Sequence, residues 1–346
     1  MGLQQLLGLS MPVIQAPMAG VQGSTLAVAV SNAGALGSLP CAMLGAEALR
    51  EELTRIQAQT HRPFNVNFFC HRSPSPDADR DAAWRQALAP YYAELGLDPA
   101  AIPGGPGRLP FDAATAELLA AFKPPVVSFH FGLPDAALLA QVRSWGSKVI
   151  SSATTVEEAL WLEAHGADVI VAQGLEAGGH RGMFLTEDLS TQMGTFALLP
   201  QMVRAVRVPV VAAGGIGDAA GVRAAQALGA AGVQVGTAYL LCPEANTSAL
   251  HRDALRGASA RHTALTNLYT GRPARGIMTR LMREQGPLSP LAPAFPLATA
   301  AVAPLRAQAE ARGSTDFTPL WAGQNTSGCR AVPAAQLTRE LAQGWR

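Results

Sequence analysis

Lysine is almost missing from this chain: Lys123 and Lys148 are the only two in 346 residues. Both precede strand-like runs instead of ending them, which argues against an imine-forming mechanism, since such a lysine must point into the site. Cysteine is also sparse. Cys41, Cys70, Cys242 and Cys329 are too scattered for a zinc site or a disulfide framework and imply reduced thiols in a cytoplasmic setting. Charged residues make up 15% of the chain and the formal net charge is +1, so no electrostatic case exists for nucleic acid or an anionic membrane as partner. No apolar run approaches the ~18 residues of a membrane span, and the start of the chain lacks the basic stretch of a signal peptide. Acidic residues do not cluster in a way that suits Mg²⁺ or Zn²⁺, so no metal is expected.

What remains is 49% hydrophobic residues and 34 glycines, the composition of a compact globular protein. Eight strand-like runs can be marked, at 13–18, 35–39, 64–69, 126–131, 148–153, 169–173, 208–213 and 232–237. Helical patterns lie between them, at 46–58, 112–122, 135–145, 156–165, 196–206 and 218–228. Asp218 is placed to cap the last of these and Gly229 to close it. Alternation of β and α elements eight times over implies a parallel (β/α)8 barrel, with an open doubly wound sheet as the alternative. Two segments fall outside the repeat. Residues 71–108 make a long excursion after the third strand, with one short helical pattern near 84–94. Residues 242–318 are helical at first, then Pro-rich, and have no barrel strand left to pair with. The expected organisation is therefore a barrel over 1–241, a small, mostly helical lid over 242–318, and a segment 319–346 that returns to the barrel through a helix at 334–343.

Barrels of this type carry their sites at the C-terminal ends of the strands. Those ends read Gln15-Ala16-Pro17-Met18, Asn67, His130, Ser151-Ser152, Gln173, Gly214-Gly215 and Gln234-Val235-Gly236-Thr237, whereas the strand interiors are mostly Val, Ile, Ala and Phe. The glycine turns after strands seven and eight are suited to a phosphate, bound by backbone N–H groups at a helix N-terminus. A neutral site with a phosphate pocket, amides and imidazoles suits FMN. Gly178 and Gly179 let a flat ring approach the loop after strand six, and His180 lies in that loop. Its ordinary pKa of about 6.5 suits taking a proton at neutral pH. For His130 a catalytic role and a simple hydrogen bond to a neighbouring loop are equally open. His61, His71, His165, His251 and His262 read as surface, and Cys70 as a buried, inert thiol.

Taken together, Gln15-Ala16-Pro17-Met18, Ser31-Asn32-Ala33-Gly34-Ala35-Leu36-Gly37, Phe64-Asn65-Val66-Asn67, Ser128-Phe129-His130-Phe131-Gly132, the run 173–182, Ala212-Ala213-Gly214-Gly215-Ile216 and Gln234-Val235-Gly236-Thr237 resemble the class I nitronate monooxygenases. The likeness spans roughly residues 10–330. It implies an FMN-binding barrel with a small lid and no metal. The implied reaction is oxidation of alkyl nitronates, such as propionate 3-nitronate, by O2 to a carbonyl compound and nitrite through a flavin semiquinone. A cytoplasmic monomer or homodimer whose partners are small molecules is expected. The resemblance puts Asn67, Gln173, Gly178, Gly215 and Gln234 to Thr237 around FMN, with His180 as base or nitro-binding group and His130 in the same pocket. One departure stands out: family members carry a Tyr and a Lys in the late Pro-rich segment, where this chain reads Ala and Phe around 294–303 and has neither. An NAD(P)H-dependent flavin reductase acting on quinones or enoyl thioesters, and a non-catalytic flavin carrier, are the alternatives.

Overall fold

A computed structural model describes residues 2–102 and 108–346; residues 103–107 of the excursion after the third strand lie outside the described residues. Its strands are β1 (Val13–Gln15), β2 (Gly37–Pro40), β3 (Phe64–Phe69), β4 (Val126–His130), β5 (Lys148–Ala153), β6 (Val169–Gln173), β7 (Gly179–His180), β8 (Val210–Ala213), β9 (Gly232–Val235), β10 (Thr263–Thr266) and β11 (Ala274–Ile277). Eight of them form one parallel sheet in the order β1-β9-β8-β6-β5-β4-β3-β2. A parallel bridge between Ile14 and Leu36 joins its two edges, so the sheet closes as a TIM-type barrel and the open-sheet alternative is excluded.

Side chains alternate across this sheet as a pleat requires. Val169 and Val171 of β6, and Val211 and Ala213 of β8, share one buried cluster with Ile14, Val126 and Ile150. Ile170, Ala172, Val210 and Ala212 belong to another cluster, shared with the surrounding helices. The short helix Leu3–Leu7 brings Leu3 and Leu7 into the first cluster, where they stop one end of the barrel. The opposite end, at the strand C-termini, is left for the polar residues.

All eight runs appear: those at 64–69, 148–153 and 169–173 keep the expected bounds, and the other five are shifted by one to three residues at an end. The run at 13–18 ends at Gln15, and that at 232–237 ends at Val235, before a 3₁₀ turn over Thr237–Leu241. Asp218 does cap the helix Ala219–Ala227, accepting from Gly221 N–H at 2.8 Å, and Gly229 beyond it has φ +96°.

The two irregular segments depart further from expectation. The excursion after β3 holds an 18-residue helix, Ala78–Leu95, not a short one. Trp84, Leu88 and Tyr92 from that helix pack with Leu268, Leu281, Leu305 and Phe317, so the excursion and the late segment share one apolar core. The late segment also contains a sheet. β10 pairs antiparallel with β11, and β11 pairs antiparallel with β7, in the loop that follows β6. It therefore does find a partner, a loop instead of a barrel strand. The final helix, Ala334–Ala342, shares a buried cluster with the helices Ser24–Asn32 and Ala219–Ala227. Among the described residues no helix is long and apolar enough to cross a membrane.

Candidate active site

One cleft opens at the C-terminal ends of the barrel strands and encloses ≈ 1440 Å³ including its mouth. Ala16, Pro17, Met18, Asn67, His130, Gln173, Gly178, Gly179, His180, Gly214, Gly215, Gln234, Gly236 and Thr237 all line it. Two residues expected there do not. Gln15 and Val235 share the strand face of Val13 and Val233, which packs against the helices, whereas Ala16 and Gln234 lie on the inward face. Gln15 is fully buried and engages Gln22, at 2.7 Å, and the N–H of Ser38, at 3.0 Å.

The glycine loop after β6 is held by several independent bonds. Gln173 uses both halves of its amide: Nε2 donates to the His180 carbonyl at 2.9 Å and Oε1 accepts from Gly182 N–H at 2.7 Å. Arg181 turns its guanidinium away from the cleft and donates to the carbonyls of Gln173 and Gly174 and to Gln192. It is fully buried, and burial lowers its pKa to about 10. His130 Nε2 lies 3.1 Å from the same His180 carbonyl, so this nitrogen carries the proton, and Nδ1 accepts from Ser152 O–H at 2.5 Å. With both ring nitrogens engaged, His130 acts as a strut for the loop. Gly182 makes that approach possible, since a Cβ there would stand 2.7 Å from Ser152 Oγ and 2.8 Å from His130 Cε1.

The His180 ring sits among Phe295, Trp321, Phe69 and Phe131, with centroids 5.3, 5.7, 6.1 and 6.1 Å away. Its Nε2 shares a hydrogen bond with Thr270 Oγ1 at 2.9 Å, in the turn between β10 and β11. Burial first, then repulsion from Arg108, from His130 once protonated, from Arg272 and from His71 once protonated, holds its pKa well below the ordinary value. The imidazole is therefore neutral at pH 7, and it is a weaker base than the unperturbed value suggested. Burial likewise lowers His130 to about 4.

Two readings from sequence change here. His71 is buried, its Nε2 donating to the Arg108 carbonyl at 3.1 Å, and His251 is buried and lines the cleft. Both had read as surface, because their covering comes from residues far along the chain. Glu176 also lines the cleft, and its carboxylate accepts from Thr195 N–H and O–H, both at 2.8 Å, and so caps the helix Thr195–Ala205. Sequence reasoning missed Phe69, Arg108, Ser128, Trp321, Gly323 and Asn325 as lining residues. For Ser128 the signal was available, since it lies two residues before His130 on the same face of β4.

Burial pushes the Cys70 thiol pKa up, which agrees with an unreactive cysteine, and Cys41, Cys242 and Cys329 are free as well.

The chain was compared with known proteins. The family model for nitronate monooxygenase matches residues 2–344. A nitronate monooxygenase of Pseudomonas aeruginosa is 44% identical over 350 residues, covering 99% of this chain and 98% of its own. One of Paraburkholderia phytofirmans is 42% identical, covering 98% and 93%. Among solved structures, a nitroalkane oxidase from Streptomyces ansochromogenes superposes with a TM-score of 0.89 at 39% identity, covering 99% and 98% of the two chains.

Proposed function

The chain belongs to the nitronate monooxygenase family, and from that premise we propose that it oxidises alkyl nitronates such as propionate 3-nitronate with O2, giving the carbonyl compound and nitrite, with FMN held in the barrel mouth. The observation that carries this reading is the convergence of strand ends on one cleft that has unpaired backbone donors at one end and His180 at the other.

The residues present fit FMN. The N–H groups of Gly214, Gly215, Ile216, Gly236 and Thr237 have no acceptor among the described residues, and they stand at the loops after β8 and β9. Next to them starts the nine-residue helix Ala219–Ala227, whose N-terminal end favours a phosphate. Asn67 spends its amide nitrogen on Ser128 Oγ, at 2.9 Å, and leaves its oxygen as an acceptor toward the cleft. His251 Nε2 is buried without a partner among the described residues, a polar atom that a bound guest would satisfy. Bound there, FMN supplies the redox chemistry, taking electrons from the nitronate and passing them to O2.

The protein's own part is to bind, orient and exclude water. Phe69 and Trp321 wall the cleft beside His180, and Phe131 and Phe295 pack around its ring. A neutral imidazole there offers a hydrogen bond to a nitronate oxygen, and the nearby guanidinium charge favours an anion over a neutral guest. The same depressed basicity makes His180 poorly suited to take the α-proton of a neutral nitroalkane at pH 7. Preformed nitronates are therefore the preferred substrates. Residues 1–241 form the barrel in this reading, 242–318 together with the excursion after β3 form the cover, and 319–346 close against the barrel.

The experiment is direct. Purified protein should show the visible bands of bound flavin and release nitrite from propionate 3-nitronate as O2 is consumed, with a lower rate on 3-nitropropionate, whose nitro-bearing carbon still holds its α-proton. Anaerobic bleaching of the flavin by NADH, without bleaching by the nitronate, would overturn the proposal in favour of a reductase.

A further inference from the structure

We propose that Arg108 is a specificity-determining residue that binds a second anionic group on the substrate, a carboxylate remote from the nitronate carbon, while His180 faces the nitronate itself. This rests on the reaction proposed above. Among the described residues, Arg108 is the arginine that lines the cleft. Its guanidinium carbon lies 5.9 Å from the centroid of the Phe295 ring, and that ring lies 5.3 Å from the His180 ring, so both groups border one aromatic side chain.

The charge on Arg108 has no carboxylate partner among the described residues, and residues 103–107 just before it are Pro, Gly, Gly, Pro and Gly, which carry no acid either. A guanidinium has five N–H donors in a fork that matches a carboxylate. Of these, one donates to Thr299 Oγ1 at 3.3 Å, which orients the fork without neutralising it. The main chain is fixed too, because the Arg108 carbonyl accepts from buried His71. Arg272 also has no carboxylate partner among the described residues, but its guanidinium carbon lies over Phe131, 4.1 Å from the ring centroid, it donates to the Met183 carbonyl, and it does not line the cleft. Thr299 opens the helix Thr299–Ala311, part of the stretch 294–303 that carries no cation of its own. In this chain the cation reaches that stretch from the excursion after β3.

The test compares two nitronates of similar length, propionate 3-nitronate and 1-butyl nitronate, on the flavin-loaded enzyme. Arg108→Met should raise KM for the carboxylated substrate by roughly 30-fold, the size of a charge-assisted hydrogen bond, and change the alkyl nitronate by less than about threefold. Arg108→Lys, which keeps charge but loses the fork, should recover part of the difference. Any change in the charge felt by His180 acts on both substrates alike, so their ratio isolates the contact. Calorimetric titration of the anaerobic holoenzyme with 3-nitropropionate gives a second readout, in which binding should be lost in Arg108→Met and partly kept in Arg108→Lys. Equal losses on both nitronates, or an unchanged ratio in both variants, overturn the proposal. If the wild-type enzyme releases nitrite from neither nitronate, the proposed reaction fails, while the titration still decides the role of Arg108. If Arg108→Met does not fold, Arg108→Gln reads the same ratio and the same titration.

Discussion

The two ends of the cleft present hydrogen-bond donors by different means. At the end formed by the loops after β8 and β9, the donors are main-chain N–H groups on glycine turns, and Gly215 is exposed. At the other end the groups are side chains, His180 and Arg108, set among Phe69, Phe295 and Trp321. A backbone cradle depends on φ and on the absence of Cβ, so it tolerates few substitutions and holds a fixed guest. A side-chain wall can be altered residue by residue without disturbing the strands beneath it. In the proposed function the invariable guest is assigned to the first end and the changeable substrate to the second.

The largest expected effect breaks the first end. Gly215 has φ +74°, a conformation that costs an ordinary residue about 1–2 kcal/mol, so Gly215→Val should lower flavin content roughly tenfold. The ratio of visible to protein absorbance checks this, and full retention of flavin would remove the backbone cradle from the account. Next comes His180→Asn, which should keep its flavin yet lower kcat/KM for a nitronate by about tenfold, as expected for one hydrogen bond to an anion. Loss of flavin from that variant would show that the two ends are not separable. Thr270→Val removes the partner of His180 Nε2 and should cost about 1 kcal/mol, a fivefold loss in kcat/KM that also leaves flavin in place. Steady-state kinetics alongside an absorbance spectrum reads both numbers.

The smallest effect concerns pH. His71, His130 and His251 have pKa values lowered from 6.5 to about 4 by burial. As pH falls below about 6.5 the unfolded chain takes up protons that the folded one refuses, so stability is intact above that value and declines down to about 4. Melting temperature should therefore hold from pH 7 to 8 and fall in acid, and turnover of nitronates should be flat over the same neutral range. A step in turnover near pH 6.5 would mean that His180 titrates as an ordinary histidine.

Much of this was legible from sequence because the barrel repeats one simple pattern. Short β-branched runs such as 169–173 mark strands wherever they fall, and polar residues at their ends mark the mouth. Strand ends were less legible. Leu36 exchanges hydrogen bonds with Val13 and Gln15, yet the ladder to β3 begins at Gly37, a choice made by neighbours and not by Leu36 itself. The helix Ser24–Asn32 was overlooked because it follows Gly23, has no side-chain cap, and is buried on several faces, so neither punctuation nor periodicity announces it. Contiguous motifs misled at Gln15 and Val235, where the pleat turns alternate residues to the helices. Arg108, His251 and Trp321 had no local signature at all. Each enters the cleft from outside the eight repeats, and only packing over long separations brings them there.

The pairing of β7 with β11 carries a mechanical consequence. His180 is encoded with the barrel but stitched by its main chain to the hairpin of the added segment, with Thr270 fastened to its ring. The position of the imidazole and that of the hairpin are therefore set together, by one ladder and one side-chain bond.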